Sequence, residues 1–189
     1  MKTVTWIFAP LLSLLSVPIA WAQPHKPAAP PRTIAQEVND WVAGSEKQLV
    51  AIAEDMPEDK YNFVPAVGEF RGVRNFGKQV KHVGAALQVI SAGILGEAVA
   101  ADAADERGPD AARTKAEILK YLKDSYACLH RAVETISEKS AFEPVKNPFG
   151  QGMRSRVGLV TAALVHSSNH YGQMVEYLRM NGLTPRSSN

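Results

Sequence analysis

Two histidines in the last third of the chain have a spacing that suits a shared metal ion. His166 and His170 are four residues apart. On a helix, residues four apart lie on one face, about 6 Å from each other. Two imidazoles at that separation can chelate one divalent ion. The same spacing is also typical of two unrelated surface histidines, so the pair alone leaves both interpretations open.

A third histidine, His82, has the same relation to its own helix. Each of His82, His166 and His170 comes one residue before a member of the apolar stripe of its helix. One residue is a rotation of about 100°, so all three lie on the flank of a core face. If the two flanks meet, three imidazoles would leave coordination positions open, as catalytic metal sites do. The same flanks carry three candidates for orienting water or substrate: Gln79, Gln173 and Tyr177.

The remaining histidines and the single cysteine are weaker candidates. His25 lies in a proline-rich segment, and His130 is predicted to be a partly exposed flank histidine of the third helix. Cys128 alone excludes an intrachain disulfide, a cysteine-rich zinc module and an iron–sulfur cluster, and it is expected to be buried and inert. Glu176 points about 120° away from His170 on an ideal helix. The last helix therefore offers no obvious general base, which favours a non-catalytic binding module as the alternative to an enzyme.

Composition excludes one large class of function. The 189 residues include 21 Lys and Arg against 19 Asp and Glu, a formal net charge of +2. A near-neutral chain argues against a nucleic-acid binder that works by neutralising phosphates. The length suits one domain with a substantial core.

The N-terminal residues are predicted to direct export. Residues 1–22 contain Lys2, an apolar run over 4–19 and a small-x-small cleavage signal, so the mature chain would begin at Gln23. Pro10 and Pro18 interrupt a run that is already short for a membrane-spanning helix. We therefore expect a periplasmic or secreted protein with no stable membrane span after cleavage. Residues 23–32 are predicted to form a proline-rich tether.

Helical periodicity accounts for the rest of the chain. The first helix is predicted from a capping box at Thr33 and Gln36 to its end at Pro57. Its apolar stripe comprises Ile34, Val38, Trp41, Ser45, Leu49, Ile52 and Met56. The second helix is predicted over 76–95, with Asn75 as its N-cap and Gly96 as its C-terminal stop.

Two further helices complete the pattern. The third begins with the capping box of Thr114 and Glu117, and the fourth runs over about 155–181 before Gly182. Residues 97–113 are expected to be a solvated connection without a chemical role, and no strand is predicted. Four amphipathic helices bury their stripes most economically together. The sequence predicts an all-α four-helix bundle over 33–189, with long connections after helices 1 and 3.

The C-terminal motif resembles the DinB-like (DinB/YfiT) family. Residues 154–188 carry His166-x-x-x-His170, then Tyr171-Gly172-Gln173 and Tyr177-Leu178-Arg179, which are similar to that family's last helix. Residues 56–65 resemble its first connection, and residues 76–87 resemble its second helix. The resemblance covers most of 33–188.

This resemblance implies a four-helix bundle that holds a divalent metal, most often zinc or nickel, through three histidines. By position these are His82, His166 and His170. Family members include metal-dependent hydrolases, thiol-dependent transferases and proteins without a known activity, so an unidentified small molecule is the expected substrate. Dimers are common among them, which makes a homodimer an expectation here. The export signal argues against thiol transfer, because the family's thiol cofactors are cytosolic.

Overall fold

Four long helices dominate residues 30–186, the part of the chain that the computed structural model describes. The helices are α1 (Ile34–Asp55), α2 (Phe76–Leu95), α3 (Lys115–Glu134) and α4 (Arg156–Met180). They pack as a bundle, which confirms the predicted all-α fold. The predicted signal sequence and residues 23–29 of the predicted tether lie outside the described part. Within that part, no helix combines the length and the apolar character that crossing a membrane requires.

Reciprocal capping boxes start α1 and α3, as the sequence predicts. At the start of α1, the Thr33 hydroxyl accepts from the Gln36 backbone N–H at 3.2 Å, and the Gln36 side chain accepts from the Thr33 N–H at 3.0 Å. Thr114 and Glu117 repeat the arrangement at α3. Each box satisfies backbone donors that the first turn of a helix leaves without partners, which fixes where the helix begins.

Helices α2 and α4 also begin and end at the predicted signals. The Asn75 side chain accepts from the Lys78 N–H at 2.8 Å, and the Ser155 hydroxyl accepts from the Gly158 N–H at 3.1 Å. Gly96 ends α2 in the left-handed conformation, with φ of 71°. That conformation is open to glycine because it lacks a Cβ. The two helices that carry the histidine candidates are therefore fixed in register by their own sequence.

Helices α1 and α2 lie diagonally opposite each other in the bundle, and so do α3 and α4. Helix α1 packs on α3 and α4, and α2 also packs on α3 and α4. The long connections after α1 and α3 are needed to span these diagonals. Helix α2 therefore meets α4 side by side, although the two are separated by the whole of α3 in the sequence. This contact is the one that the metal hypothesis requires.

Close packing makes α2 the most buried helix. Gly84 illustrates it, because a Cβ at this position would lie 2.8 Å from a ring carbon of Tyr121 on α3. Residues on both sides of the predicted α2 stripe are buried as a result, including His82, Gln79 and Ala86. A flank position on this helix is thus an interior position of the bundle.

Two features differ from the sequence prediction. Trp41 is 67% exposed, because the buried face of α1 is centred on Val42, Leu49 and Ile52, about a quarter turn away. Two strands, Pro144–Lys146 and Met153–Ser155, pair antiparallel in the connection before α4. Strands of three residues are too short to show the alternation by which a strand is predicted.

Candidate metal centre

Three histidines converge where α2 meets α4. His82 comes from α2, and His166 and His170 come from successive turns of α4. The ring centroids lie 4.9 Å apart for His82 and His166, 4.7 Å for His82 and His170, and 4.4 Å for His166 and His170. The sequence places His82 and the His166–His170 pair on the flanks of two separate helices, and in the structure these flanks face each other. We call these three residues the histidine triad.

Burial keeps the triad in its neutral form. His82 and His170 are buried, and His166 is partly buried. Burial, together with neighbouring positive charge, lowers the pKa of His166 to about 4 and that of His170 to about 3. Burial is also the main reason that the pKa of His82 is lowered. Neutral imidazole is the form that binds metal, so the triad is ready to act as a ligand set at neutral pH.

The protonation of His82 is fixed by a backbone group. Its Nδ1 lies 2.8 Å from the carbonyl oxygen of Glu106, and a carbonyl only accepts. Nδ1 therefore carries the proton and donates, which leaves Nε2 with a free lone pair. That Nε2 lies 3.1 Å from Nε2 of His166, inside the triad. An imidazole that donates its outer N–H to a carbonyl is the usual arrangement of a histidine that ligates a metal.

The donor set fits a small divalent ion. One nitrogen from each imidazole lies within 4.8 Å of the other two. Zinc–nitrogen bonds are about 2.0–2.1 Å, so ligand nitrogens of one ion lie within about 4 Å of each other, and small ring rotations bring the triad to that distance. Nδ1 of His166 and Nδ1 of His170 are buried without a hydrogen-bond partner in the described residues. On those two imidazoles, Nδ1 is therefore not engaged by another group of the described residues.

The three predicted neighbours of the triad have distinct positions. Gln79 is buried, and its Nε2 donates to Oε1 of Gln173 at 2.6 Å, so the two amides link α2 to α4 next to the histidines. Tyr177 is buried, and its hydroxyl donates to the backbone carbonyl of Arg74 at 2.9 Å. Gln79 and Gln173 line a cavity beside the triad, whereas the Tyr177 hydroxyl is committed to holding the segment before α2.

Two loop residues near the triad are missing from the sequence prediction. Glu106 belongs to the segment 97–113, for which no chemical role is predicted. In the structure its carbonyl fixes His82, and its carboxylate Oε2 lies 3.7 Å from the same Nδ1. The positive charge of Arg74, in the segment before α2, contributes to the lowered pKa of every histidine of the triad. Neither residue has a periodic pattern, and only the folded loops bring them here.

The other candidates lie outside the triad. His130 is partly buried, with Nδ1 2.5 Å from Asn39 Oδ1 and Nε2 3.1 Å from Glu46 Oε2 on α1. This placement agrees with the predicted flank histidine. Cys128 is a free thiol of intermediate exposure rather than a buried one. Glu176 is exposed and pairs with Arg179, away from the histidines.

Gly108 controls how closely the 97–113 segment approaches α2. Its φ is 72°, and a Cβ there would lie 3.1 Å from the carbonyl oxygen of Lys81. We expect Gly108→Ala to displace Glu106 from His82 and to weaken zinc binding about tenfold, the size of effect typical when the hydrogen-bond partner of a ligand is lost. Competition titration with a zinc indicator would measure it. Gly96→Ala is the control, since it has the same backbone conformation in open space, and equal losses in both variants would contradict the prediction.

Comparison with known proteins agrees with the fold. A DinB-like protein from Bacillus cereus ATCC 10987 superimposes with a TM-score of 0.65 and 18% identity, covering 81% of this chain and 95% of that one. A DinB-like protein from Bacillus subtilis gives a TM-score of 0.60 and 17% identity over 78% and 93% of the two chains. A conserved protein from Enterococcus faecalis gives 0.59 and 14% over 78% and 96%. No curated protein matches the chain.

The family assignment rests on a sequence-based match as well as on shape. The model of the DinB superfamily matches residues 43–174, from the middle of α1 to a point in α4 just past His170. This range contains the whole histidine triad and both loops that contact it. The chain therefore belongs to the DinB superfamily.

Proposed function

We propose that this protein binds one divalent metal ion, zinc or nickel, through His82, His166 and His170. The observation that carries the proposal is the convergence of three neutral imidazoles from two helices with their nitrogens within 4.8 Å. Nitrogen ligands without a thiolate suit zinc and nickel alike. The affinity order of the metals does not decide between them, since the metal supply in the cell also matters.

We further propose that the metal serves hydrolysis or group transfer on a small molecule. Three protein ligands leave at least one coordination position free, which distinguishes catalytic from structural zinc sites. When bound there, the ion would supply Lewis-acid activation of a substrate oxygen or of water. The residues of the chain would hold the substrate: the Gln79 and Gln173 amides border both the triad and the adjoining cavity. They are placed to orient a polar group beside the metal.

A non-catalytic metal- or ligand-binding bundle is the second candidate. One observation favours it: in residues 30–186, the cluster that can hold the metal contains no Asp or Glu. The nearest carboxylate described above, that of Glu106, lies on the outer side of the His82 ring, next to Nδ1. A general base must reach the proton that it removes. A reaction at this site would therefore need a base other than a carboxylate of the metal-binding cluster. A binding module needs no such group.

Export is part of the proposal and rests on the sequence alone. The positive start, the apolar run and the Ala20-Trp21-Ala22 motif indicate cleavage before Gln23. N-terminal sequencing of the protein from a periplasmic or culture fraction should give a chain that begins at Gln23. Full-length protein retained in the cytosol would reject export without affecting the metal proposal.

Elemental analysis of natively produced protein tests metal binding directly. We expect about one zinc or nickel ion per chain in the wild type and far less in His166→Ala, because one of the three proposed ligands is lost. Protein without metal in both forms would reject the proposal. The metal-loaded protein can then be assayed with ester, amide and thiol-exchange substrates. Turnover that disappears in His166→Ala supports the enzyme, and its absence across the panel supports the binding module.

A further inference from the structure

A cavity of about 520 Å³ adjoins the histidine triad on the side where α2 begins. Gln79, one turn before His82, and Gln173, one turn after His170, form the wall nearest to the triad. The segment just before α2 forms another wall. Cavities of about 300–1,000 Å³ are the usual size for small-molecule sites. The cavity is therefore large enough for a small-molecule ligand, one end of which would lie beside the Gln79–Gln173 amide pair.

The lining of this cavity is strongly basic. Four cationic side chains contribute to it, against a single carboxylate, that of Asp110. The cations are Arg74, Lys78, Lys81 and Arg107. This excess is local, because the whole chain has a formal net charge of only +2. Concentration of one sign of charge in a concave site attracts ligands of the opposite sign.

Two of these cations are free to bind a ligand. Arg107 is paired with Asp105, and the Lys81 ammonium donates to the Pro109 carbonyl at 2.9 Å. In residues 30–186, by contrast, no carboxylate lies within ion-pair distance of Arg74 or Lys78. Unpaired cations facing one cavity repel each other, and an anion between them would remove that repulsion. Both side chains are exposed, so an anion can approach them from solvent and bridge them.

The backbone holds Arg74 where it can serve both the cavity and the triad. The Tyr177 hydroxyl of α4 donates to its carbonyl at 2.9 Å, and Asn75, the next residue, is the N-cap of α2. The guanidinium is close enough to the triad to act electrostatically on all three histidines. Arginine presents a rigid fork of donors that matches carboxylate and phosphate oxygens.

We propose that this cavity binds the carboxylate or phosphate group of a small-molecule ligand, with Arg74 and Lys78 as its main contacts. The ligand class is a small organic oxyanion. The proposal names the substrate class of the proposed metal function and rests on it for the role of the ligand. Anion binding itself does not require the metal, so the two can fail separately.

Calorimetric titration of the metal-free protein tests the anion site. The probes are inorganic phosphate and succinate, which distinguish a phosphate from a carboxylate preference. We expect at least one of them to bind with one site per chain, and the affinity to fall with added sodium chloride as charge interactions are screened. We expect Arg74→Gln and Lys78→Gln each to weaken binding about tenfold, since a charge-assisted hydrogen bond is lost. Lys47→Gln, at an exposed position on α1, should bind as the wild type does.

The possible results separate this proposal from the metal proposal. Phosphate or succinate binding that is equal in the wild type and in the Arg74→Gln/Lys78→Gln double variant would overturn the anion site, and so would no binding of either probe. Zinc content should remain at the wild-type level in the double variant, because neither residue is a ligand. Anion binding in a protein that never takes up metal would uphold the cavity and reject the metal function.

Discussion

Replacing His170 by alanine is expected to lower the affinity for zinc or nickel by at least about 100-fold. Loss of a residue that merely supports a metal ligand costs about 10–100-fold in affinity, so loss of a ligand costs at least the upper end of that range. His170 is also the hardest member of the triad to protonate, because burial and its neighbours lower its pKa to about 3. The measurement is a competition titration of metal-free protein against a chelating indicator.

The same variant should lose the stabilisation that metal gives to the fold. A ligand present at 100 times its dissociation constant stabilises the folded state by about 2.7 kcal/mol. We expect this increase in the wild type and almost none in His170→Ala at the same zinc concentration. His130→Ala is the matched control, a helical histidine that contacts Asn39 and Glu46 instead of the triad. Wild-type affinity in His170→Ala, or equal losses in both variants, would contradict the assignment.

Acidification is expected to destabilise the metal-free protein through the triad. Burial lowers the folded-state pKa of His166 to about 4 and that of His170 to about 3, below the ordinary value of 6.5. Below pH 6.5 the unfolded chain takes up protons at these residues and the folded chain does not. The contribution to stability is therefore complete above pH 6.5 and falls as the pH falls toward 4. Between pH 6.5 and 5 we expect a loss of about 2 kcal/mol, allowing for the partial exposure of His166.

Urea unfolding of metal-free protein at pH 7.5 and at pH 5 measures this effect. The double variant His166→Ala/His170→Ala should lose less free energy of unfolding between the two pH values than the wild type does, by about the same 2 kcal/mol. Carboxylates titrate equally in both proteins, so they cancel in the comparison. An identical pH dependence in the double variant and the wild type would show that the triad is not desolvated.

Local signals made the helices predictable from the sequence. The capping boxes at Thr33 and Thr114 and the glycine after α2 act within one turn, so they fix helix ends wherever the helix packs. The exposure of Trp41 was predicted wrongly because it depends on which side of α1 meets α3 and α4. The short strand pair before α4 was missed because its three-residue strands carry no period.

The site was predictable only in part, for the same reason. Helical spacing placed His166 and His170 on one face, and His82 was added because it has the same position relative to the apolar stripe of its own helix. Only the resemblance to a family indicated that α2 and α4 bring the three residues together. Glu106 and Arg74 come from connections whose paths depend on tertiary contacts. The only local hint for Arg74 is its position immediately before the N-cap of α2. Sequence reasoning thus identified the three histidines that converge and missed the residues that surround them.

The diagonal order of the helices also determines when the histidine triad can form. Helices α2 and α3 are neighbours in both sequence and space, so their contacts close a shorter stretch of chain than those between α2 and α4. The triad instead joins residues 84 positions apart, His82 and His166. It is complete only after α4 docks against α2, the contact with the larger loop-closure cost. A metal-sensitive probe in a refolding experiment should therefore report the docking of α4 on α2.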